Sequence, residues 1–137
     1  MIAARARYWM LDTNTVSHIV KGHPRVLQRL SQTPMTRLCI SAITEGELRF
    51  GLAKRPQATR FHHIVHEFLK RAEVRVWDSA TAIAYGDLRA ALESAGKGVG
   101  ALDLLIAAHA LAADRTLVTN DAGFAKIAHL TTEDWTV

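Results

Sequence analysis

The chain has 137 residues, of which 49% are hydrophobic and 22% are charged. These proportions are ordinary for a folded domain and exclude disorder as the default interpretation, and the length suits a single domain over residues 1–137. Seventeen Lys and Arg against thirteen Asp and Glu give a formal net charge of +4. This balance favours an anionic partner, nucleic acid first, although a merely soluble basic protein is the alternative.

Cysteine content and the apolar runs bear on where the protein works. The single cysteine, Cys39, excludes an intrachain disulfide and favours a cytoplasmic setting. Residues 1–7 contain no apolar core of signal-peptide length, and the apolar run at 101–113 is interrupted by Asp103 and His109. We therefore expect neither export nor a membrane-spanning segment.

The first third of the chain alternates short apolar runs with turn-forming residues. Residues 8–11 predict a strand, after which the polar residues 12–14 lead into a helix that ends at residues 22–24. A second helix follows, and Pro34 marks the next break. Residues 38–42 then predict a short buried strand.

The remainder of the chain repeats this alternation. In chain order it predicts a helix opening at residues 44–47, a helix near 57–71, a strand at 74–77, a helix capped by Asp78 or Ser79, a glycine-rich loop at 96–100, a helix at 101–113, a strand at 116–119, a short helix near 123–128 and a final extended segment. The 101–113 segment is apolar around most of its circumference, which predicts a helix packed between other elements. The order β-α-α-β-α-α-β-α-α-β-α-β indicates an α/β sandwich with a largely parallel sheet.

Four acidic residues interrupt this apolar pattern. Asp12 and Asp121 follow predicted strands, whereas Glu47 and Asp103 lie inside otherwise apolar helical patterns. Because ligands gather beyond the carboxyl ends of parallel strands, we expect the four carboxylates to converge there. Carboxylates held together repel one another, and a divalent cation removes that conflict. An all-oxygen ligand set predicts Mg²⁺ or Mn²⁺, either of which can activate water for phosphodiester hydrolysis.

Each of the four acids also has a purely structural interpretation. Glu47 can close a capping box with Thr44, and Asp103 can complement the dipole of its helix. Asp121 can cap a short helix, and Asp12 can form a turn. The conjunction of the four favours the metal site over these separate interpretations.

Four segments together resemble the PIN-domain ribonucleases, and within them the VapC toxins of bacterial type II toxin–antitoxin systems. The matching segments are residues 10–14 (MLDTN), 40–51 (ISAITEGELRFG), 100–110 (GALDLLIAAHA) and 117–121 (LVTND), and residues 132–135 (TEDW) are similar to the tail of many VapC proteins. The resemblance implies a PIN-like three-layer α/β/α sandwich with a central, mainly parallel sheet. It also implies metal-dependent endoribonuclease activity that cleaves RNA by attack of an activated water on a phosphodiester.

The resemblance implies roles for individual acids. Asp12, Glu47 and Asp103 match the core acids of the family, with Asp12 and Asp103 as direct metal ligands. Glu47 is preferred to Glu45 because it directly precedes residues 48–51 of the matching segment. Asp121 either fills the fourth position or acts through water, since many relatives carry this acid farther along, just before a phenylalanine.

The resemblance also suggests supporting residues and partners. Four polar residues adjoin the acids and would orient carboxylates or water, turn and cap formation being the alternative: Thr13, Asn14, Thr119 and Asn120. The implied partners are an RNA substrate, for which initiator tRNA is one family example, a cognate antitoxin that blocks the site, and a second copy in a homodimer. Operator DNA is expected only through the antitoxin complex.

Basic residues near the acidic segments are candidate phosphate contacts. They are Arg49, Lys54, Arg55, Arg60, Lys97 and Arg115. Ordinary solvated charge is the alternative for any one of them.

Three competing interpretations remain open from the sequence. His62 and His66 lie one helical turn apart, a spacing that suits a transition metal, but an ordinary helix face is favoured. The residues from Leu11 to Thr15 are similar to the opening of haloacid-dehalogenase-like phosphatases, except that Asn14 replaces the second Asp. The third alternative is a non-catalytic RNA- or protein-binding module on a PIN fold, against which the retention of all the core acids argues.

Overall fold

The computed structural model describes residues 7–137, and its elements follow the predicted order. The strands are β1 (Trp9–Leu11), β2 (Leu38–Ser41), β3 (Glu73–Arg75), β4 (Thr116–Val118) and β5 (Thr132–Glu133). The helices are α1 (Thr13–Val20), α2 (Pro24–Ser31), α3 (Ala42–Lys54), α4 (Thr59–Arg71), α5 (Ser79–Ser94) and α6 (Ala101–Ala112). Short 3-10 helices cover Met35–Arg37 and Ala122–Lys126.

The strands form one sheet in the order β3-β2-β1-β4-β5, and every neighbouring pair is parallel. From β1 the chain moves outward to β2 and β3 on one side, then returns to β4 and β5 on the other. The winding therefore reverses between β1 and β4, and such a reversal opens a crevice beyond the carboxyl ends of the two strands. Asp12 directly follows β1 and Thr119 directly follows β4, so both lie at this crevice.

Successive side chains of the strands point to opposite faces of the sheet and pack into two apolar cores, one on each face. Leu11 and Val118 pack with residues of α1, α2 and α4, including the fully buried Val26. Met10 and Leu117 point to the opposite face and pack with α5 and α6. The predicted three-layer α/β/α sandwich is therefore confirmed, with a sheet that is wholly parallel among the described strands.

Helix α6 is enclosed on several sides, as its apolar circumference predicted. Ile106, Ala107, Ala108 and Ala110 are at most 1% exposed. Small alanine side chains let the sheet, α3 and α5 approach the helix closely. Asp103 stands in the first turn of this helix, so the placement of α6 determines where that carboxylate lies.

The structure adjusts two local expectations. Helix α3 begins at Ala42 with Ser41 as its N-cap, so Thr44 already lies within the helix and the capping box with Glu47 does not form. The short helix expected near residues 123–128 is instead a 3-10 helix at Ala122–Lys126, whose N-cap is Asp121.

Cys39 is a core residue of β2, as its apolar surroundings predicted. Its side chain is 1% exposed, and burial raises the pKa of the thiol to about 11. Within residues 7–137, no helix combines the length and apolar character needed to cross a membrane. The N-terminal segment considered above lies, apart from residue 7, outside the described residues.

Candidate active site

Asp12 lies at the crevice between β1 and β4 and is only 3% exposed. It caps α1, because its Oδ1 accepts a hydrogen bond from the Thr15 backbone N–H at 2.7 Å. Burial raises the pKa of the carboxyl above its ordinary value, and the charge of Asp121 adds to this rise. Hydrogen bonds from Thr119 and Thr15 oppose the rise without cancelling it. The folded chain thus holds a carboxylate in a place that disfavours its charge.

Asp103 is half-buried at the start of α6 and faces the other acids. Burial is the largest cause that raises the pKa of its carboxyl, and the charges of Asp121, Asp12 and Glu47 each raise it further. The four acids singled out in the sequence are therefore close enough to repel one another. This mutual repulsion is the electrostatic condition that a bound cation relieves.

Glu47 is oriented by a threonine from a different helix. Its Oε1 accepts a hydrogen bond from Thr13 Oγ1 at 2.7 Å, and the same hydroxyl lies 3.3 Å from Thr44 Oγ1. Glu45 instead pairs with Arg49 one turn along α3, at 2.8 Å. The two glutamates thus have different surroundings, and Glu47 is the one directed towards α1.

Asp121 combines a structural contact with an electrostatic one. Its Oδ1 accepts a hydrogen bond from the Gly123 backbone N–H at 2.8 Å, which caps the 3-10 helix. Its side chain is exposed, yet its charge raises the pKa values of both Asp12 and Asp103. Asp121 therefore caps the 3-10 helix, as the sequence suggested, and also lies close to the other acids.

The four neighbouring polar residues divide into two pairs. Thr13 holds Glu47, and Thr119 hydrogen-bonds to Asp12 while accepting the Asp121 backbone N–H at 3.0 Å. Asn14 is exposed on the first turn of α1. The Asn120 amide nitrogen lies 3.3 Å from Nε2 of His18. Only the two threonines have contacts with the acids.

Sequence reasoning missed two further threonines. Thr15 contributes its backbone N–H to Asp12, and its hydroxyl donates to the Val118 carbonyl at 2.9 Å, so it joins β4 to the start of α1. Thr44 is fully buried beside Thr13. An N-cap Asp accepts a hydrogen bond from the backbone N–H two or three positions later, which could have drawn attention to Thr15, whereas nothing in the sequence alone pairs Thr44 with Thr13.

The donor set fits a hard divalent cation, although the carboxylates are not gathered into a finished coordination sphere. Oxygen atoms are the donors that Mg²⁺ and Mn²⁺ prefer. Among residues 7–137, no group of three or more His, Cys, Asp or Glu side chains is placed closely enough to hold a metal ion. The acids are therefore near neighbours whose carboxylates need to move inwards to bind one ion together.

The candidate phosphate contacts occupy different parts of the surface. Lys54 lies over the Phe50 ring, with 5.0 Å from Nζ to the ring centroid. Arg55 and Arg60 line a cleft of about 470 Å³ between α1, α3 and α4, which Lys21 also lines. Lys97 is exposed in the loop that precedes Asp103.

Arg115 does not belong with the predicted phosphate contacts. Its side chain is 10% exposed and packs over the Tyr8 ring, with its guanidinium directed at the carbonyls of Trp9 and Arg37. These groups lie where β1, β2 and β4 begin, at the amino-terminal end of the strands, which is opposite the acids. The prediction for Arg115 is corrected accordingly.

His62 and His66 also take ordinary structural places on α4. Their ring centroids are 6.1 Å apart, and Nε2 of His62 lies 2.9 Å from the Arg55 carbonyl. This contact ties α4 to the end of α3. The structure thus gives His62 a packing role on this helix face.

An α/β sandwich with acids at the switch point of a parallel sheet defines a class of proteins, and comparison with known proteins identifies it. The family described as PIN domain matches residues 9–130. Ribonuclease VapC2 of Haemophilus influenzae is 34% identical over 129 residues, which cover 93% of this chain and 97% of that protein. The tRNA(fMet)-specific endonuclease VapC of Salmonella typhimurium is 37% identical over 128 residues, with the same coverage of the two chains.

Solved structures agree with the sequence matches. A DNA-bound VapBC structure from Salmonella typhimurium superposes with a TM-score of 0.88 at 36% identity, covering 95% of this chain and 99% of that one. VapBC2 of Rickettsia felis, bound to a promoter DNA fragment, gives a TM-score of 0.86 at 33% identity and covers 93% and 98% of the two chains. The chain therefore belongs to the PIN-domain family, and the relatives compared above are named VapC or VapBC.

Proposed function

We propose that this protein is a metal-dependent endoribonuclease and the toxin of a type II toxin–antitoxin module. The observation that carries the proposal is the position of the buried Asp12 at the switch point of the sheet, with Asp103 near enough to Asp12, Glu47 and Asp121 for their charges to raise its pKa. The names of relatives similar over 93% of the chain, VapC ribonuclease and tRNA(fMet)-specific endonuclease, support the same activity.

The proposed cofactor is Mg²⁺ or Mn²⁺. Asp12 and Asp103 are the proposed direct ligands, and Glu47 and Asp121 complete the set directly or through water. When bound, the ion would lower the pKa of a water molecule and neutralise charge that develops on the phosphate. The all-oxygen donors and the raised pKa values of Asp12 and Asp103 support this assignment.

Several residues of the chain prepare the site for hydrolysis. Thr13 orients Glu47, whose carboxylate is suited to accept a proton from the attacking water. Thr119 orients Asp12 and holds the backbone of Asp121 in place. Attack of water on phosphorus would leave a 5′-phosphate and a 3′-hydroxyl.

The decisive experiment is RNA cleavage by the purified protein. With Mg²⁺ or Mn²⁺ the wild type should cut RNA, and a chelator should stop it. Asp12→Asn should lose more than about a hundredfold in rate, since even partners that only orient a ligand typically cost 10- to 100-fold. Asn keeps an N-cap for α1, so loss of the fold would not explain the result. Equal cutting by Asp12→Asn would point to a contaminating nuclease and sink the proposal.

The RNA target is proposed from the relatives. The Shigella flexneri and Salmonella typhimurium relatives are named tRNA(fMet)-specific endonucleases, which makes initiator tRNA the first substrate to test. Sequencing of RNA ends after brief expression of the wild type and of Asp12→Asn would identify the cut. Ends shared by both strains would be unrelated to this protein.

The proposed partners are an antitoxin, a second copy of the chain, and operator DNA through the antitoxin complex. Solved relatives from Rickettsia felis and Salmonella typhimurium are VapBC complexes with DNA. The homodimer is proposed from the resemblance to VapC proteins, with the exposed Phe50 and Ile83, at 64% and 69%, as candidate interface residues. Light scattering of the purified chain would test the dimer, and co-expression with the product of an adjacent small reading frame should relieve toxicity.

The single buried cysteine supports the proposed cytoplasmic setting.

A non-catalytic binding module on the same fold is the second candidate function. It would bind RNA yet leave it intact with every divalent metal tested. The phosphatase interpretation falls away because the chain belongs to the PIN-domain family.

A further inference from the structure

His109 is a buried histidine that takes no part in the carboxylate group. It lies on α6, six residues after Asp103, and is 2% exposed. A polar side chain enclosed in this way costs free energy unless its ring nitrogens are hydrogen-bonded. The partners of His109 therefore determine what the residue does in the fold.

Two hydrogen bonds define the state of the ring. Nδ1 lies 2.8 Å from Ser41 Oγ, and that oxygen already accepts the Ile43 backbone N–H at 3.1 Å. The Ser41 hydroxyl is thus best placed to donate its proton to Nδ1, which leaves the ring proton on Nε2. The ring is also hydrogen-bonded to the backbone of Val76, a contact that suits an Nε2–H donor and a carbonyl acceptor.

These contacts join α6 to the start of α3 and to the link between β3 and α5. Ser41 is the N-cap of α3, which carries Glu47, and Val76 lies in the link between β3 and α5. Trp77 in the same link donates its indole N–H to the Leu105 carbonyl of α6 at 3.1 Å. We call the group of Ser41, Val76, Trp77, Leu105 and His109 the α6 seam.

We propose that His109 is a positioning residue that holds Asp103 in register with Glu47 through the α6 seam. This inference rests on the proposed ribonuclease function of those acids. Apolar packing between α6 and its neighbours is non-directional, so it would tolerate small shifts of the helix along the sheet. Directional hydrogen bonds from one ring to the start of α3 and to the link before α5 restrict such shifts. Productive sites require placement within about half an ångström.

A graded set of variants at position 109 separates positioning from simple stability. His109→Ala removes both hydrogen bonds, His109→Asn keeps an acceptor near Ser41, and His109→Gln keeps a donor for Val76. Val26→Ala is the matched control, because Val26 is fully buried on α2, away from the α6 seam. Each variant is assayed for thermal unfolding, for kcat and KM on RNA, and for Mn²⁺ affinity, at a temperature where all of them are folded.

The expected result is a loss in kcat, and in Mn²⁺ affinity, of roughly 10- to 100-fold for His109→Ala, with KM nearly unchanged. Asn and Gln should each recover part of the loss, and Val26→Ala should lower Tm without lowering kcat. Nitrogen NMR of the wild-type ring should find the proton on Nε2, independently of activity.

Failure of this inference is distinguishable from failure of the proposed function. If the wild type cuts RNA and His109→Ala matches Val26→Ala in kcat and Mn²⁺ affinity, the positioning role is overturned and the function stands. If the wild type binds Mn²⁺ without cutting RNA and His109→Ala weakens the binding, the positioning of the acids stands and the ribonuclease function falls. A proton on Nδ1 would overturn the hydrogen-bond arrangement on which the inference depends.

Discussion

At the scale of single residues, the candidate site is a place where ionised carboxylates lower the stability of the folded chain. Burial raises the pKa of Asp12 even though Thr119 and Thr15 donate hydrogen bonds to it. For Asp103, burial and the charges of the neighbouring acids all raise the pKa. Grouped acids of this kind are a feature of functional sites, where pKa values depart from their ordinary range for a chemical purpose.

We therefore predict that Asp103→Asn stabilises the metal-free protein at neutral pH. A pKa raised on folding means that the folded state disfavours the ionised form, so the penalty is present at neutral pH and is relieved as pH falls towards the pKa. Removal of the charge removes the penalty, and Tm measured in chelator should rise. Asp87→Asn, an exposed change on α5, should leave Tm nearly unchanged. A lower Tm for Asp103→Asn would contradict the electrostatic account.

His109 gives the opposite dependence on pH. Burial lowers the pKa of its ring, the charge of Arg75 lowers it further, and Asp78 and the bond to Val76 oppose the shift. Because the unfolded chain protonates more readily, the stability contributed by neutral His109 is complete above its ordinary pKa of 6.5 and is lost as pH falls from there through the folded pKa.

The predicted outcome is a free energy of unfolding that declines with acidification more steeply in the wild type than in His109→Gln. Urea unfolding at several pH values on either side of the ordinary histidine pKa would measure it. The difference between the two proteins isolates His109, since they share all their other titrating groups. Parallel curves for both would show that His109 protonation is not linked to folding.

At the scale of elements, the short strand β5 depends on one carboxylate. Glu133 accepts hydrogen bonds from the indoles of Trp9 and Trp135, at 3.4 and 2.9 Å, and pairs with Arg7 and Arg29. Burial alone would raise the pKa of Glu133, but these donors and charges together bring it below its ordinary value. The residue thus ties β5 to β1 and to α2.

Glu133→Gln should destabilise the protein at neutral pH by about 1.5–3 kcal/mol, the usual range for hydrogen bonds to a charged group. A lowered pKa means that the stabilisation is present above the ordinary value of 4.5 and is lost as pH falls through the folded pKa. The two proteins should therefore converge in stability in acid, as measured by urea unfolding. A gap that stays constant down to acidic pH would indicate that shape rather than charge matters at this position.

The local pattern of apolar and polar residues predicted most helices and strands, but it could not predict contacts between residues that are distant in sequence. The apolar run before Asp12 and the apolar circumference of α6 are local signals, and both led to the observed elements. The contact between Ser41 and His109 spans 68 positions, and no spacing rule connects them. Arg115 failed as a phosphate contact because its sequence position does not reveal which edge of the sheet it faces. That Asp12 and Asp121 lie at the same end of the sheet was predictable because the carboxyl ends of parallel strands meet there.

At the scale of the whole molecule, a basic protein surrounds an acidic site. The chain carries a formal charge of +4 although four of its thirteen acidic residues are the candidate site acids. A polyanion is therefore attracted to the molecule while its phosphates are repelled at the site, a conflict that the proposed cation resolves. Attraction of this kind weakens with salt, and its strength depends on which basic residues contact the RNA.

The salt dependence of RNA binding locates those residues. Arg55 and Arg60 line the cleft beside α1, and their joint replacement by Ala should reduce the slope of log K against log salt by about 1.4 for single-stranded RNA, two contacts at roughly 0.7 each. The matched control is the joint replacement of Lys70 and Arg71 by Ala, which removes the same amount of charge. These two residues lie at the C-terminal end of α4, just before β3 begins, and so at the end of the sheet opposite the acids. That pair should leave the slope unchanged. Binding is measured with Asp12→Asn as the background so that the RNA stays intact, and equal slopes for the two double variants would remove the cleft from the RNA path.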